Sequence, residues 1–93
     1  MSYTATGRII EIFDVNQVTE KFKKRDFVIE TEDEKYHQLL KFELHQGATD
    51  KIDPFKMGDA VVVHFNLTGR KYEAPLSGTT YFTTLQAWRI EKV

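Results

Sequence analysis

The feature that most constrains this chain is a two-residue apolar period that recurs along most of its length. It is clearest from Ala60 to Arg70, where Val61, Val63, Phe65 and Leu67 alternate with Val62, His64, Asn66 and Thr68. Successive side chains on a strand point to opposite faces, so this run has one apolar and one mixed face. Tyr3 to Asp14 reads as a first strand. Tyr3, Ala5, Gly7 and Ile9 share a face, and the apolar phase then slips by one to Ile10 and Ile12. A slip beside a glycine marks a bulge or bend, which a long first strand needs to turn the corner between two parts of a sheet. Phe27, Ile29 and Thr31 alternate with Asp26, Val28 and Glu30 in a second strand. Asp33-Glu34-Lys35 forms a tight polar connection to a third, with Tyr36, Gln38, Leu40, Phe42 and Leu44 on one face. Tyr81 to Lys92 is the last strand. Leu85, Ala87, Trp88 and Ile90 are expected in the core, with another slip between Ala87 and Trp88.

Three segments break the period. Asn16 to Arg25 is polar and reads as a loop or the frayed start of the second strand. Gln46 to Asp59 holds Gly47, Asp50, Asp53, Pro54 and Gly58. It predicts one or two helical turns, capped by Thr49 or Asp50, or by Asp53 ahead of Pro54, and ended by Gly58. Ile52, Phe55 and Met57 would plug the core. Lys71 to Thr79, with Pro75, Ser77 and Gly78, reads as a loop. The order is strand, strand, strand, short helix, strand, strand. Five strands in a chain of 93 residues must close on themselves or leave edges open to aggregation. The expectation is an all-β, single-domain (1–93), five-stranded OB-type Greek-key barrel with a short helix between strands three and four. An SH3-like barrel competes, but its strands are shorter and it lacks a helix at that place.

At 41% hydrophobic and 29% charged residues the chain has the make-up of a folded globular domain, not a disordered one. With no cysteine, neither disulfides nor thiolate metal sites can form. Met1-Ser2-Tyr3-Thr4 is polar, without the apolar region of a signal peptide. The longest aliphatic run, Ala60 to Val63, is far too short to span a bilayer as a helix. These features read as a cytoplasmic protein. The net charge of −1 lacks the strongly basic footprint of many nucleic-acid binders, although local patches can still be basic.

The segments Lys24-Arg25-Asp26-Phe27-Val28-Ile29-Glu30-Thr31, Phe42-Glu43-Leu44, Phe55-Lys56-Met57-Gly58-Asp59 and Leu85-Gln86-Ala87-Trp88-Arg89-Ile90-Glu91 together resemble an uncharacterised family of small domains of Bacteroidetes and their phages. That family is grouped with OB-fold, single-stranded-DNA-binding-like proteins, and the resemblance runs over nearly the whole chain. It implies an OB fold and, by fold analogy, single-strand binding. The chain departs from the family at Tyr72 and the segment Glu73 to Thr79, where members tend to place a tryptophan and a shorter turn.

Lys21, Lys23, Lys24 and Arg25 are four cations within five positions of the first long connection. In an OB domain that connection and the one before the last strand rim the binding groove. Cations there track phosphates, and a solvated loop is the bland alternative. Arg70, Lys71 and Tyr72 leave the fourth strand as Tyr81 and Phe82 enter the fifth. A cation beside exposed rings suits non-specific stacking of bases. Alternation is expected to turn one of Tyr81 and Phe82 inward; the sequence leaves open which of the two faces out, and Tyr81 is placed in the candidate set. Phe22 is either a stacking platform or a loop anchor. Lys41 could add a phosphate contact, whereas Arg89 is expected to pair with a neighbouring glutamate. The candidate nucleic-acid-binding set is therefore Phe22, Lys23, Lys24, Arg25, Lys41, Arg70, Lys71, Tyr72 and Tyr81. His37, His45 and His64 match no metal-ligand spacing, no glycine-rich phosphate loop occurs, and no nucleophile–base pairing stands out. No cofactor, metal or catalytic residue is expected.

Two functions compete. One is non-catalytic binding of single-stranded nucleic acid, DNA before RNA, with avidity from a homo-oligomer. The other is a protein-interaction or assembly module in which acidic strand faces (Glu30, Glu32, Glu43) recruit a partner such as a replication protein. The net charge favours the second. The discriminating feature is whether Lys23, Lys24, Arg70 and Tyr72 converge on one groove.

Overall fold

The computed structural model describes residues 2–31 and 35–93. The described residues form six strands: β1 (Tyr3–Ile12), β2 (Asn16–Thr19), β3 (Phe22–Thr31), β4 (Leu39–His45), β5 (Ala60–Ala74) and β6 (Gly78–Lys92). The sheet runs β1-β5-β6-β4-β3-β2, and β1 also pairs with β3. β1 thus touches both ends of the four-strand run β5-β6-β4-β3, and these five strands close into a ring with β2 outside it. The closure between β4 and β6 is a single parallel rung, Glu43 opposite Gln86. The remaining pairings are antiparallel.

The ring depends on how β1 changes partner. Tyr3 to Arg8 pair with β5, and Gly7 to Ile12 pair with β3. Gly7 and Arg8 belong to both ladders, so two backbones crowd the same residue. An added Cβ at Gly7 would overlap the Glu30 carbonyl, lying 2.9 Å from its carbon and 3.2 Å from Thr31 Cα. The expected phase slip follows as a bulge between Ile9 and Glu11. There the Ile9 N–H donates to Asp59 O at 3.0 Å and the Ile9 carbonyl accepts from the Gly58 N–H at 2.7 Å. The bulge is therefore satisfied by the turn that precedes β5, as buried backbone groups must be.

The core is the inward half of the two-residue period. Ile9, Phe27, Ile29, Phe42, Leu44, Val61, Val63, Phe65 and Ala87 are buried, and Ile52 seals one end. Phe42 stacks on Phe27 at 5.4 Å and meets Phe65 edge-on at 5.1 Å.

The structure corrects several sequence expectations. Among the described residues there are six strands, not five: of the two readings of Asn16 to Arg25 the loop fails, and the strand start holds for Phe22 to Arg25, where β3 begins and makes a hairpin with β2. The expected helix between the third and fourth expected strands is only a 3₁₀ turn, Gln46–Ala48, followed by further turns. The segment proceeds by separate tight turns, in which the N–H groups of Thr49, Lys51, Asp53 and Phe55 each donate to the carbonyl three residues back. Ile52 fills the core from there and Phe55 packs against it, but Met57 is exposed. Tyr36 stands outside the strand, which begins at Leu39, and is exposed. The connection placed at Asp33-Glu34-Lys35, and Glu32, fall wholly or partly outside the described residues. The segment Lys71 to Thr79 continues the β5–β6 ladder out to Ala74 opposite Gly78, with Gly78 in the left-handed region at φ 84°. This hairpin projects past the core, and β5 is exposed throughout Asn66–Glu73.

Trp88 also differs from expectation. His64 pairs with Arg89 and Phe65 with Ala87, so a bulge leaves Trp88 as the extra residue. Ala87 takes the core position while Trp88 turns outward. Its ring lies 5.3 Å from that of His64, and its indole N–H donates to Ser2 Oγ at 3.2 Å. No helix of the described residues is long and apolar enough to cross a membrane.

Candidate nucleic-acid interface

Two hairpins stand up from the ring and enclose a groove of about 720 Å³. One wall is β2–β3–β4, contributing Val18, Thr19, Phe22, Lys24, Lys41, Glu43 and His45. The other is the projecting β5–β6 hairpin, with Thr68, Arg70, Phe82 and Thr84 among its residues. Strand parity explains the set. Phe27 and Ile29 of β3 point inward, so Lys24 points outward. Phe42 and Leu44 of β4 are buried, so Lys41, Glu43 and His45 face out. Arg70 and Phe82 are direct cross-strand partners and therefore share a face.

The groove carries two pairs of ring and base. The Phe22 ring meets the His45 ring edge-on at 5.1 Å, and the Arg70 guanidinium lies 5.9 Å from the Phe82 ring centre. Three cations line it, with one carboxylate among them. Glu43 Oε1 accepts from His45 Nε2 at 2.9 Å, and Oε2 lies 3.7 Å from Lys24 Nζ.

Of the nine residues singled out in the sequence, four therefore meet in this groove: Phe22, Lys24, Lys41 and Arg70. Tyr72 is exposed and lies two residues beyond Arg70 on the same face of the hairpin, past the groove's end. Lys71 and Tyr81 oppose each other on the other face, and Lys71 pairs with Glu73 at 2.9 Å. Lys23 has the inward parity at the end of the ring, and its N–H donates to Gln46 Oε1 at 3.3 Å. The expectation of one inward ring among Tyr81 and Phe82 fails because the hairpin has left the core behind: both are exposed. Phe82, not Tyr81, faces the groove.

Arg25 does different work. Its Nε donates to Phe13 O at 2.8 Å, and its Nη1 bonds Asp53 Oδ1 at 2.7 Å and Thr49 O at 3.4 Å. It ties β3 to the β1–β2 link and to the turn segment, with its side chain only 16% exposed. Arg89 pairs with Glu91, which also accepts from His64 Nε2 at 3.2 Å. The hydrogen bond from His64 holds the Glu91 carboxyl below its ordinary value; partial burial opposes this shift and the Arg89 charge reinforces it.

The candidate set does not include Phe82, Glu43 or His45, although Phe82 is weighed beside Tyr81 and Glu43 is placed on an acidic strand face. His45 and Glu43 could have been found by carrying the outward parity of Lys41 along the strand. Phe82 could have been found by treating Gly78 as the left-handed residue of a tight hairpin and counting rungs back to Arg70. A second depression, of about 350 Å³, adjoins Lys24 and is lined by Phe13, Asp14, Val15, Asn16 and Asp26. Its two carboxylates make it a poor seat for phosphate. Among the described residues no group of three or more His, Asp or Glu side chains could hold a metal ion.

Several solved structures share this chain path. The mitochondrial single-stranded DNA binding protein Rim1 of S. cerevisiae matches with a TM-score of 0.76 at 12% identity, over 100% of this chain and 94% of that one. The N-terminal domain of PriB from Thermoanaerobacter tencongensis, a dimeric structure, matches with a TM-score of 0.67 at 16% identity, over 99% of this chain and 94% of that one. At such identities the likeness shows the fold alone. No curated protein matches the chain. The family described as "Domain of unknown function (DUF3127)" matches residues 4–91, and the chain belongs to that family.

Proposed function

We propose that this DUF3127 domain is an OB-type module that binds single-stranded nucleic acid, DNA in the first instance, without catalysing a reaction. The observation that carries the reading is the convergence of Lys24, Lys41 and Arg70 with the rings of Phe22 and Phe82 on one groove between two hairpins. Single-strand binding without sequence readout needs this combination. Cations follow the backbone, and any base stacks on an aromatic face at about 1–3 kcal/mol each. Tyr72 extends the stacking surface outward along the hairpin. The fold likeness to single-stranded-DNA-binding proteins supports the same reading. One groove of this size binds weakly, so a second copy of the chain supplies avidity.

The test is anisotropy of a labelled oligo-thymidine titrated with the protein at several salt concentrations, with duplex DNA and RNA as controls. Three phosphate contacts give a log–log salt slope of about −2. Lys41→Ala and Arg70→Ala each flatten that slope, and Phe82→Ala weakens binding without changing it. Tyr81→Ala, on the far face, leaves the affinity within about two-fold. Absence of saturable binding at low salt refutes the proposal. The rival reading, a docking module for a protein such as a replication factor, draws on the net charge of −1 and on the fully exposed Leu76 at the hairpin tip.

A further inference from the structure

Among the groove's charged side chains, Glu43 is the one whose sign opposes a nucleic acid, and it is seated deeply, with only 17% of its side chain exposed. Its cross-strand neighbour does not favour a charge there. On the β3–β4 ladder it stands directly opposite Asp26, and like charges on opposed positions destabilise a sheet. One Asp26 carboxylate oxygen is itself buried without a partner. What Glu43 does engage is the binding equipment. One oxygen takes the His45 ring nitrogen at 2.9 Å and the other faces Lys24 Nζ at 3.7 Å. Two oxygens sharing a negative charge, one taking a hydrogen bond and the other facing a cation, are what a phosphodiester group would present to the same side chains. Lys41 and Arg70 make no ion pair among the described residues, so Lys24 alone of the three groove cations is occupied in this way.

From this geometry we infer that Glu43 is an internal competitor for phosphate, which holds Lys24 and His45 back and sets the groove's affinity for a single strand below what its cations alone would give. The inference rests on the single-strand-binding reading. A strand entering the groove must displace Glu43 from Lys24 or accept a carboxylate beside its backbone. Both weaken binding and reduce the charge the strand can gain. The domain would exchange readily along a strand instead of gripping it.

The experiment is the oligo-thymidine titration with wild type, Glu43→Gln, Lys24→Ala and the double variant, across the same salt series. Glutamine keeps an acceptor for His45 and removes a cross-strand repulsion, so the fold is retained. Glu43→Thr, which suits a strand, serves as the second variant, and a melting curve accompanies each. The expected result is about three- to ten-fold tighter binding by Glu43→Gln at low salt. Its salt slope is steeper by about 0.7, one further phosphate neutralised. The gain shrinks in the Lys24→Ala background, because the cation being released is missing. If wild type binds but both Glu43 variants bind equally or more weakly, the competitor role is overturned and the groove reading stands. If none of the proteins binds at low salt, both fall together.

Discussion

Replacing Gly7 by alanine is the sharpest test of how the ring closes. The new Cβ would overlap the Glu30 carbonyl and crowd Thr31 Cα at 3.2 Å, and the crowding atoms are backbone. No rotamer change relieves such a clash; β1 and β3 must separate. Overpacking of this sort costs about 1–3 kcal/mol, and loosening the shared rungs at Gly7–Thr31 and Arg8–Glu30 adds about 1 kcal/mol per weakened hydrogen bond. Against this, alanine restricts the unfolded chain and returns about 0.4–1 kcal/mol. The net is a loss of about 2–3 kcal/mol, a large part of the roughly 5–14 kcal/mol expected of a domain this size. At about 4–8 °C per kcal/mol, Tm falls by roughly 10–20 °C. The assay is thermal unfolding followed by circular dichroism, at fixed protein concentration so that self-association does not shift the midpoint. Gly47→Ala is the control: its added Cβ meets nothing within 4 Å, and its Tm stays within about 3 °C of wild type. A Gly7→Ala protein that melts with the wild type would refute the argument that two ladders meet at this residue.

Further outcomes follow from side chains outside the groove. Arg25→Lys keeps the charge but cannot reproduce bonds to both Phe13 O and Asp53. It loses about 1–2 kcal/mol and lowers Tm with little effect on oligonucleotide affinity; a variant that melts normally but binds poorly would return Arg25 to the phosphate-contacting set. Glu91 is held below its ordinary value, first by the His64 hydrogen bond, so the unfolded chain takes up its proton more readily than the folded one. Its stabilisation is therefore complete above the unfolded-state value and is lost as pH falls through the lower folded-state value. The Tm gap between wild type and Glu91→Gln narrows from about pH 5 downward, and a gap that stays constant or widens on acidification would contradict the assignment.

Much of the fold was legible because a strand buried on one face must alternate. Phe27, Ile29, Phe42, Leu44, Val61, Val63 and Phe65 all occupy the inward positions that the period assigns, and all are buried. The two phase slips were equally legible as bulges. Periodicity, however, does not say which residue a bulge expels. At Ala87-Trp88 the larger ring was the natural choice for the core, yet the register gives the inside to alanine. Polar strands were invisible for a related reason. Asn16 to Thr19 and the outer half of the β5–β6 hairpin bury little, so no apolar alternation marks them, and their regularity comes from backbone pairing alone.

The site is harder to read than the core because it is made by register between strands distant in sequence. Cations and rings can be enumerated along a chain, but whether they meet depends on strand parity and on which rung faces which. Lys24 and Arg25 are adjacent, and parity sends one to the groove and the other to a structural tie. Tyr81 and Phe82 are adjacent too, and the rung that sets Phe82 opposite Arg70 decides which ring shares the groove with a cation. The same rule bears on charge. A net value of −1 for the chain argues against nucleic acid only if charges are spread evenly, whereas parity gathers three cations onto one groove. Glu43 enters by the parity that brings Lys41 and His45, so the outward face of β4 delivers cation and carboxylate together. On the single-strand-binding proposal, a groove assembled this way carries its own limit on affinity, and changing one residue of alternate parity retunes it without touching the core.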